Sequence, residues 1–117
     1  MRSLEQIAAS ATAFRDARDW SQFHTIKNLI ASVSIEANEL MEIFQWMESV
    51  DVEKSISDPF FRKKLEDECA DVLIYLILLA DKAKIDLLAA AEEKIQSNEK
   101  RYPVDKARGS SKKYDQL

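Results

Sequence analysis

The sequence predicts an all-α protein, and three observations support that fold class. One glycine and two prolines occur among the 117 residues, whereas β-hairpins and α/β loops draw heavily on both residue types. Hydrophobic residues make up 46% of the chain and recur at helical spacing in four long segments. Residues that suit helix starts precede three of these segments. We therefore expect one domain, built as a four-helix antiparallel bundle.

The first two predicted helices are defined mainly by their apolar spacing. Ser3 and Gln6 form a capping-box pair, and the apolar residues that follow recur at helical spacing until about residue 19. An aromatic and polar link over residues 20–24 leads to the second segment. The same period predicts a second helix that runs roughly over residues 25–49.

The third and fourth predicted helices begin at aspartates. After a link over residues 50–57, Asp58 can cap a helix whose first residue is Pro59, and the apolar spacing continues to about residue 84. Asp86 caps the next segment, which predicts a fourth helix over residues 87–101.

The predicted helical domain spans residues 1–103, because Pro103 closes the fourth helix. Residues 104–117 contain the only glycine and a basic cluster, so we expect an extended or mobile tail. The basic residues of this tail are Lys106, Arg108, Lys112 and Lys113.

The charge balance and the apolar runs exclude several classes of partner. Seventeen basic against twenty-one acidic residues give a formal net charge of −4, which disfavours binding to a nucleic acid polymer. The single cysteine, Cys69, permits no intrachain disulfide, and Glu5 interrupts any signal-peptide-like start. The longest apolar run, over residues 72–80, is far shorter than the roughly 20 residues that a membrane span needs. We expect a cytoplasmic protein without a membrane partner.

The run over residues 72–80 is apolar on every face of the third predicted helix. A small four-helix monomer has too little surrounding chain to bury one helix on all sides. This predicts a homo-oligomer that shares the helix at an interface. The alternative is a central helix that is fully buried inside the monomer.

Two acidic pairs carry the candidate chemistry. Glu36 and Glu39 project from one face of the second predicted helix, and residues 28–53 contain no lysine or arginine. Glu68 and Asp71 repeat this spacing where the apolar run of the third helix begins. If the two helices pack antiparallel, the four carboxylates meet beside apolar side chains, which requires cations. The alternative is a pair of solvated helix faces without a metal.

Magnesium is the cation that these side chains predict, because Mg²⁺ prefers hard oxygen ligands and is commonly shared between carboxylates and substrate phosphates. Zinc would favour histidine or cysteine ligands, and His24 and Cys69 form no recognisable zinc spacing.

Several segments resemble one known family. The acidic pairs, Glu36-x-x-Glu39 and Glu68-x-x-Asp71, resemble the metal signature of the MazG-like all-α NTP pyrophosphatase superfamily. Further segments, which extend the similarity to essentially the whole chain, resemble its dCTP pyrophosphatase branch. They are RDWSQFH (18–24), ELMEIFQW (39–46), DVLIYL (71–76), RYP (101–103) and ARGSS (107–111).

This resemblance implies that the four carboxylates hold Mg²⁺, with Mn²⁺ as a substitute, and that water attacks the α-phosphorus of a nucleoside triphosphate. Glu39 would orient or deprotonate that water. The broader superfamily often has two adjacent glutamates in its first motif, whereas Ile35 precedes Glu36 here. The number of bound magnesium ions is therefore left open.

The resemblance also implies a set of substrate-binding residues. Aromatic faces suit base stacking, and the positions that match the nucleotide pocket are Trp20, His24, Asn28, Trp46 and Tyr75. Three residues on the fourth predicted helix match positions that could reach phosphate or sugar, and these are Lys94, Asn98 and Tyr102. Core packing of the tryptophans, a structural histidine and a solvated face at Lys94 are the alternatives.

The expected function is conversion of a nucleoside triphosphate, dCTP or modified dCTP, to the monophosphate and pyrophosphate by a homotetramer or dimer. One rival is a relative that acts on dUTP, a purine triphosphate or phosphoribosyl-ATP. The other is a non-catalytic helical interaction module, which would have no reason to keep four mutually repelling carboxylates.

Overall fold

A computed structural model describes residues 3–117, and within that range the regular structure is entirely helical. The six α-helices are α1 (Leu4–Ala17), α2 (Ile26–Phe44), α3 (Ser49–Ser55), α4 (Pro59–Ala83), α5 (Leu87–Arg101) and α6 (Val104–Ala107). Short 3₁₀ turns cover Ser21–Phe23 and Tyr114–Gln116. The all-α prediction is confirmed.

The predicted helix starts are confirmed by their capping hydrogen bonds. Ser3 Oγ accepts from the Gln6 N–H at 3.1 Å while Gln6 Oε1 accepts from the Ser3 N–H at 3.3 Å. Asp58 caps α4 by accepting from the Phe60 N–H at 2.9 Å, and Asp86 caps α5 through the Ala89 N–H at 3.0 Å. These side chains satisfy N–H groups that a helix start leaves without an intrahelical partner.

The end predicted for the second helix, residue 49, is wrong. Helix α2 ends at Phe44, whose carbonyl accepts from the Met47 N–H at 3.0 Å in a tight turn. The predicted link over residues 50–57 is mostly the short helix α3, because the Glu48 carbonyl accepts from the N–H groups of Asp51 and Val52 and starts a new helical turn. Met47 keeps the apolar period across this turn, so spacing alone does not detect the break.

Helices α2 and α4 pack against each other along their lengths and run antiparallel. Phe44 at the end of α2 meets Phe61 at the start of α4, with ring centroids 6.2 Å apart. Glu36 and Glu68 meet near the middle of the same two helices. Rising residue numbers in α2 therefore oppose falling numbers in α4, which is the arrangement predicted for the acidic pairs.

The chain forms two compact units, with the boundary between Lys84 and Ile85. The first contains α1 to α4, and its buried apolar residues are Leu29, Ile77, Leu78 and Ala80. Within the apolar run, Leu73 is 42% exposed, so the single chain does not bury α4 on every side. The functional division predicted at residue 103 stays a prediction.

The second compact unit contains α5, α6 and the C-terminal residues. Val104–Ala107 forms one helical turn after Pro103, so this part of the predicted extended tail is helical. Gly109 has a left-handed φ of 71° and lets the chain reverse. Tyr114 then packs edge-on against Tyr102 at 6.1 Å and lies beneath the Arg101 guanidinium.

Among residues 3–117, no helix combines the length and the apolar character that a crossing of the lipid bilayer demands.

Candidate active site

Three carboxylates meet between α2 and α4. One oxygen from each of Glu36, Glu39 and Glu68 lies within 4.8 Å of the other two. The i, i+3 spacing places the first two on one face of α2, and the antiparallel packing brings the third from α4. The clustering predicted from sequence is therefore present for these three residues.

The cluster lacks a protein cation. Within residues 3–117, none of its three carboxylates belongs to an ion pair. Glu36 Oε2 and Glu68 Oε2 are buried, and residues 3–117 provide no hydrogen-bond donor to either atom. Burying an acceptor atom without a hydrogen-bond donor costs free energy. A positive charge at the cluster would therefore stabilise these oxygens.

The same crowding changes the acidity of the cluster. Burial, together with the hydrogen bond and negative charge of the neighbouring Glu39, raises the pKa of Glu36 to about 7. The pKa of Glu68 is also raised, first by burial and then by Glu39. Asp71 contributes negative charge to both shifts, which places the fourth predicted carboxylate in the electrostatic neighbourhood of the cluster.

The donor set fits a hard divalent cation. All contributing atoms are carboxylate oxygens, the ligand type of Mg²⁺, Mn²⁺ and Ca²⁺. A bound cation would supply the missing partner for the buried oxygens of Glu36 and Glu68. The three glutamates form a candidate metal-binding cluster, with Asp71 beside it.

A cavity of about 480 Å³ extends from Asp71 to the residues of α1 and the following link. Three predicted pocket residues, Trp20, His24 and Tyr75, line it together with that aspartate. Its other walls are mainly apolar: Ile7, Ala11, Phe14, Ile74 and Leu78, with Ser10 and Arg15 adding polar groups. Its size and its few polar groups are typical of a small-molecule pocket.

Local hydrogen bonds fix the link that carries Trp20 and His24. The Trp20 N–H donates to the Arg15 carbonyl at 3.1 Å, and the chain passes Asp19 with a left-handed φ of 53°. The His24 N–H donates to the Ser21 carbonyl at 3.1 Å. These contacts direct both rings into the cavity wall from a segment with no long helix.

His24 lines the cavity in surroundings that disfavour its charged form. Burial lowers its pKa, and the positive charges of Arg15 and Lys82 lower it further. Its Nδ1 atom is buried without a hydrogen-bond partner in the described part of the chain. The ring therefore offers an unused polar atom beside an apolar pocket.

Comparison with known proteins decides the family. The family profile described as the MazG-like family matches residues 31–117. The chain belongs to the MazG-like family. The match includes all four predicted carboxylates, whereas Trp20 and His24 precede its first residue.

Relatives of this MazG-like chain cover almost its whole length. It is 40% identical over 115 residues to dCTP pyrophosphatase 1 of Rattus norvegicus, a match that spans 98% of this chain and 68% of the relative. The same identity and coverage hold for dCTP pyrophosphatase 1 of Homo sapiens. The crystal structure of a pyrophosphatase from Archaeoglobus fulgidus superposes with a TM-score of 0.80 at 42% identity, covering 88% of this chain and 94% of that one.

Two predicted pocket residues of the MazG-like chain have other surroundings. The Asn28 side chain donates to the Phe23 carbonyl at 3.1 Å and so ties the link to α2. Trp46 follows the end of α2 and is 90% exposed, so it is not part of the cavity wall or the core of the single chain. Their roles in nucleotide binding stay predictions.

The remaining predicted substrate residues lie on α5 or directly after it, in the second compact unit. Lys94 and Asn98 are exposed and one helical turn apart. Tyr102 ends the helix, and its N–H donates to the Asn98 carbonyl at 2.8 Å. Contact of these three side chains with a phosphate or sugar stays a prediction.

The sequence interpretation missed Arg15 and Phe14 as cavity residues. Arg15 is buried and follows Ile7 and Ala11 at intervals of four, which places it on the apolar face of α1. This position could have identified Arg15 from the sequence, because a charged side chain on a buried helix face requires a partner. Phe14 carries the weaker signal of an aromatic residue on the same helix.

Proposed function

We propose that this chain is a magnesium-dependent nucleoside triphosphate pyrophosphohydrolase that converts dCTP or base-modified dCTP to the monophosphate and pyrophosphate. One observation carries the proposal: three carboxylates, two of them with buried oxygens that have no partner within residues 3–117, meet next to Asp71, which also lines an aromatic cavity. A cation site adjoining a cavity suits a ligand with a charged triphosphate and a flat apolar base.

Glu36, Glu39, Glu68 and Asp71 would hold Mg²⁺, with Mn²⁺ as a substitute. When bound, the ion supplies Lewis acidity at the phosphates and a more acidic water. Glu39 accepts a proton or a hydrogen bond from the attacking water and directs its oxygen toward the α-phosphorus. The bond from that phosphorus to the bridging oxygen breaks, and pyrophosphate leaves with the electron pair.

The cavity supports a nucleoside as the ligand. Trp20 and Tyr75 present aromatic surface to it, and base stacking on such side chains is worth about 1 to 3 kcal/mol per base. His24 adds Nδ1, an atom with no hydrogen-bond partner among residues 3–117, which is available to a polar edge of the base. The name of the curated relatives, dCTP pyrophosphatase 1, supports a cytosine nucleotide.

The active assembly in this proposal is a homo-oligomer, a tetramer or dimer, in the cytoplasm. Large apolar side chains remain exposed on the single chain, including Met41 at 70% and Phe60 at 60%. Burial of such surface between copies stabilises an oligomer by roughly 25 cal/mol per Å² of apolar area. In an oligomer, a second copy of the chain would bury the exposed side chain of Trp46.

A nucleotide panel tests the function. Purified protein is incubated with dCTP, 5-methyl-dCTP, dUTP, dATP, dGTP and phosphoribosyl-ATP, with Mg²⁺ or with EDTA, and pyrophosphate is measured. We expect the highest kcat/KM for a cytosine nucleotide and no release with EDTA. A different preferred base would correct the substrate, and an inactive protein that binds no Mg²⁺ would overturn the proposal in favour of a non-catalytic module.

A further inference from the structure

Arg15 joins two elements of the cavity through a partly buried ion pair. Its side chain is 11% exposed, and its Nη1 donates to Asp81 Oδ2 on α4 at 2.8 Å. Its Nε donates to Asp16 Oδ1, also at 2.8 Å, which fixes the plane of the guanidinium. The two residues are 66 positions apart in sequence, and their hydrogen bond joins α1 to α4 in a defined geometry.

The backbone of the same residue supports the link on the α1 side. The Arg15 carbonyl accepts from the N–H groups of Arg18 and Trp20, at 3.2 and 3.1 Å. The Trp20 ring packs edge-on against Phe14, with centroids 5.7 Å apart. A displacement of Arg15 therefore shifts the indole that lines the cavity.

Asp81 belongs to the helix that forms the opposite wall. Asp71 and Tyr75 precede it on α4 by ten and six residues, within one uninterrupted helix. A helix of this kind moves nearly as a rigid body over two or three turns. The ion pair therefore determines the distance between the cavity wall that contains Trp20 and the wall that contains Tyr75.

Stability alone does not account for an arginine at this position. An ion pair with a solvent-exposed partner contributes little to stability, and the side chain of Asp81 is 43% exposed. A directional ion pair instead fixes the position of α1 relative to α4, whereas apolar packing allows the two helices to slide along each other. Substrate positioning is sensitive to displacements of about 1 Å.

We propose that Arg15, through its pair with Asp81, is a positioning residue that sets the width of the nucleotide pocket between Trp20 and Tyr75. The inference rests on the proposed function, since it assigns the cavity to the nucleotide base. Arg15 acts on the substrate through the walls it holds and not by touching the reacting atoms.

Steady-state kinetics of the full chain test this role. Arg15→Met keeps the aliphatic stem and removes the pair, and we expect KM for dCTP to rise roughly tenfold while kcat stays within about threefold, equivalent to about 1.4 kcal/mol of binding. Asp81→Asn should raise KM in the same way, and the double variant should be no worse than either single one because they remove the same interaction. Arg15→Lys, which can still reach Asp81, should recover most of the wild-type KM.

Lys63→Met is the matched control. It removes an ion pair of equal length, 2.8 Å to Asp67, that lies within α4 and joins no second element. Its KM should equal that of the wild type. Thermal melts of every variant identify loss of folding separately.

Each outcome bears on one conclusion. An active wild type with an unchanged KM in Arg15→Met overturns the positioning role alone. Parallel losses of kcat and folded fraction, without recovery in Arg15→Lys, also overturn it and assign the pair to stability. A wild type that releases no pyrophosphate and binds no nucleotide overturns the proposed function, and this inference with it.

Discussion

Glu36 on α2 and Glu68 on α4 each hold a buried carboxylate oxygen that receives no hydrogen bond from the described part of the chain. Both belong to the group of three whose oxygens lie within 4.8 Å of one another. Two such atoms on facing helices are more readily satisfied by one shared cation than by separate solvation. This relationship leads to predictions that separate a metal site from an ordinary acidic surface.

Glu39→Gln should separate stability from activity. The substitution removes one charge from a crowded cluster, so the metal-free protein should melt at the same temperature as the wild type or higher. Pyrophosphate release from dCTP with Mg²⁺ should fall by about two orders of magnitude or more, as for loss of a metal ligand or general base. Melts with EDTA and a coupled pyrophosphate assay measure the two effects.

Glu42→Gln is the control for that experiment, because Glu42 lies on the same helix, is exposed, and does not belong to the cluster. It should retain wild-type activity. A Glu39→Gln protein that is less stable but still active would refute the catalytic assignment.

The stability of the metal-free protein should depend on pH through Glu36. The folded-state pKa, about 7, lies above the ordinary value of 4.5, so the folded protein binds more protons between these two values. The stabilisation is complete below about pH 4.5 and is lost as pH rises through about 7. The raised pKa of Glu68 acts in the same direction.

Thermal melts of the wild type and Glu36→Gln, with EDTA over that pH interval, measure this contribution. His24, whose pKa is lowered, contributes the opposite slope in both proteins, so their difference reports Glu36 together with its coupled neighbour Glu68. The difference should favour the variant increasingly toward pH 8. Because Mg²⁺ competes with the proton, its stabilising effect on the wild type should grow over the same interval. Parallel pH profiles would show that the carboxyl has an ordinary pKa.

Trp46→Ala should weaken nucleotide binding more than folding. The side chain is 90% exposed in the single chain, so its loss should change the melting temperature little. If it stacks on the base, KM for dCTP should rise at least fivefold, because stacking contributes about 1 to 3 kcal/mol. Met41→Ala, at a 70% exposed apolar position of α2, is the comparison. Equal KM values for the wild type and Trp46→Ala would exclude Trp46 from the pocket.

The protein should be a homo-oligomer in solution. Apolar side chains exposed on the single chain include Ile30, Ile35 and Leu73, at 55%, 57% and 42%. Light scattering at micromolar concentration should therefore give a mass of two or four chains. A soluble species with the mass of one chain would contradict this expectation.

The parts of the structure that could be predicted depend on local chemistry. Asp58 and Asp86 define helix starts because their side chains accept from N–H groups two or three residues away. Glu36 and Glu39 could be paired from their spacing alone. The break after Phe44 could not, because Met47 preserves the apolar period while Glu48 starts another helix.

The ion pair of Arg15 with Asp81 shows the corresponding limit for the site. The two residues are separated by 66 positions, so no local pattern identifies the partner. The sequence could indicate that a positive charge on an apolar helix face needs an acidic partner. Only the tertiary structure identifies that partner as Asp81. Trp46 is a different case. Its side chain is 90% exposed on the single chain, so the single chain alone does not define its role.

The antiparallel packing of α2 and α4 has a consequence for how the cluster receives its ion. Phe44 and Phe61 join the helices at one end, and buried Leu29 and Ile77 lie toward the other, so apolar contacts flank the acidic centre on both sides. The spacing of the glutamates is thus imposed by hydrocarbon packing before any ion arrives. A cation bound at this cluster would meet ligands that are already preorganised, so little conformational entropy would be lost on binding.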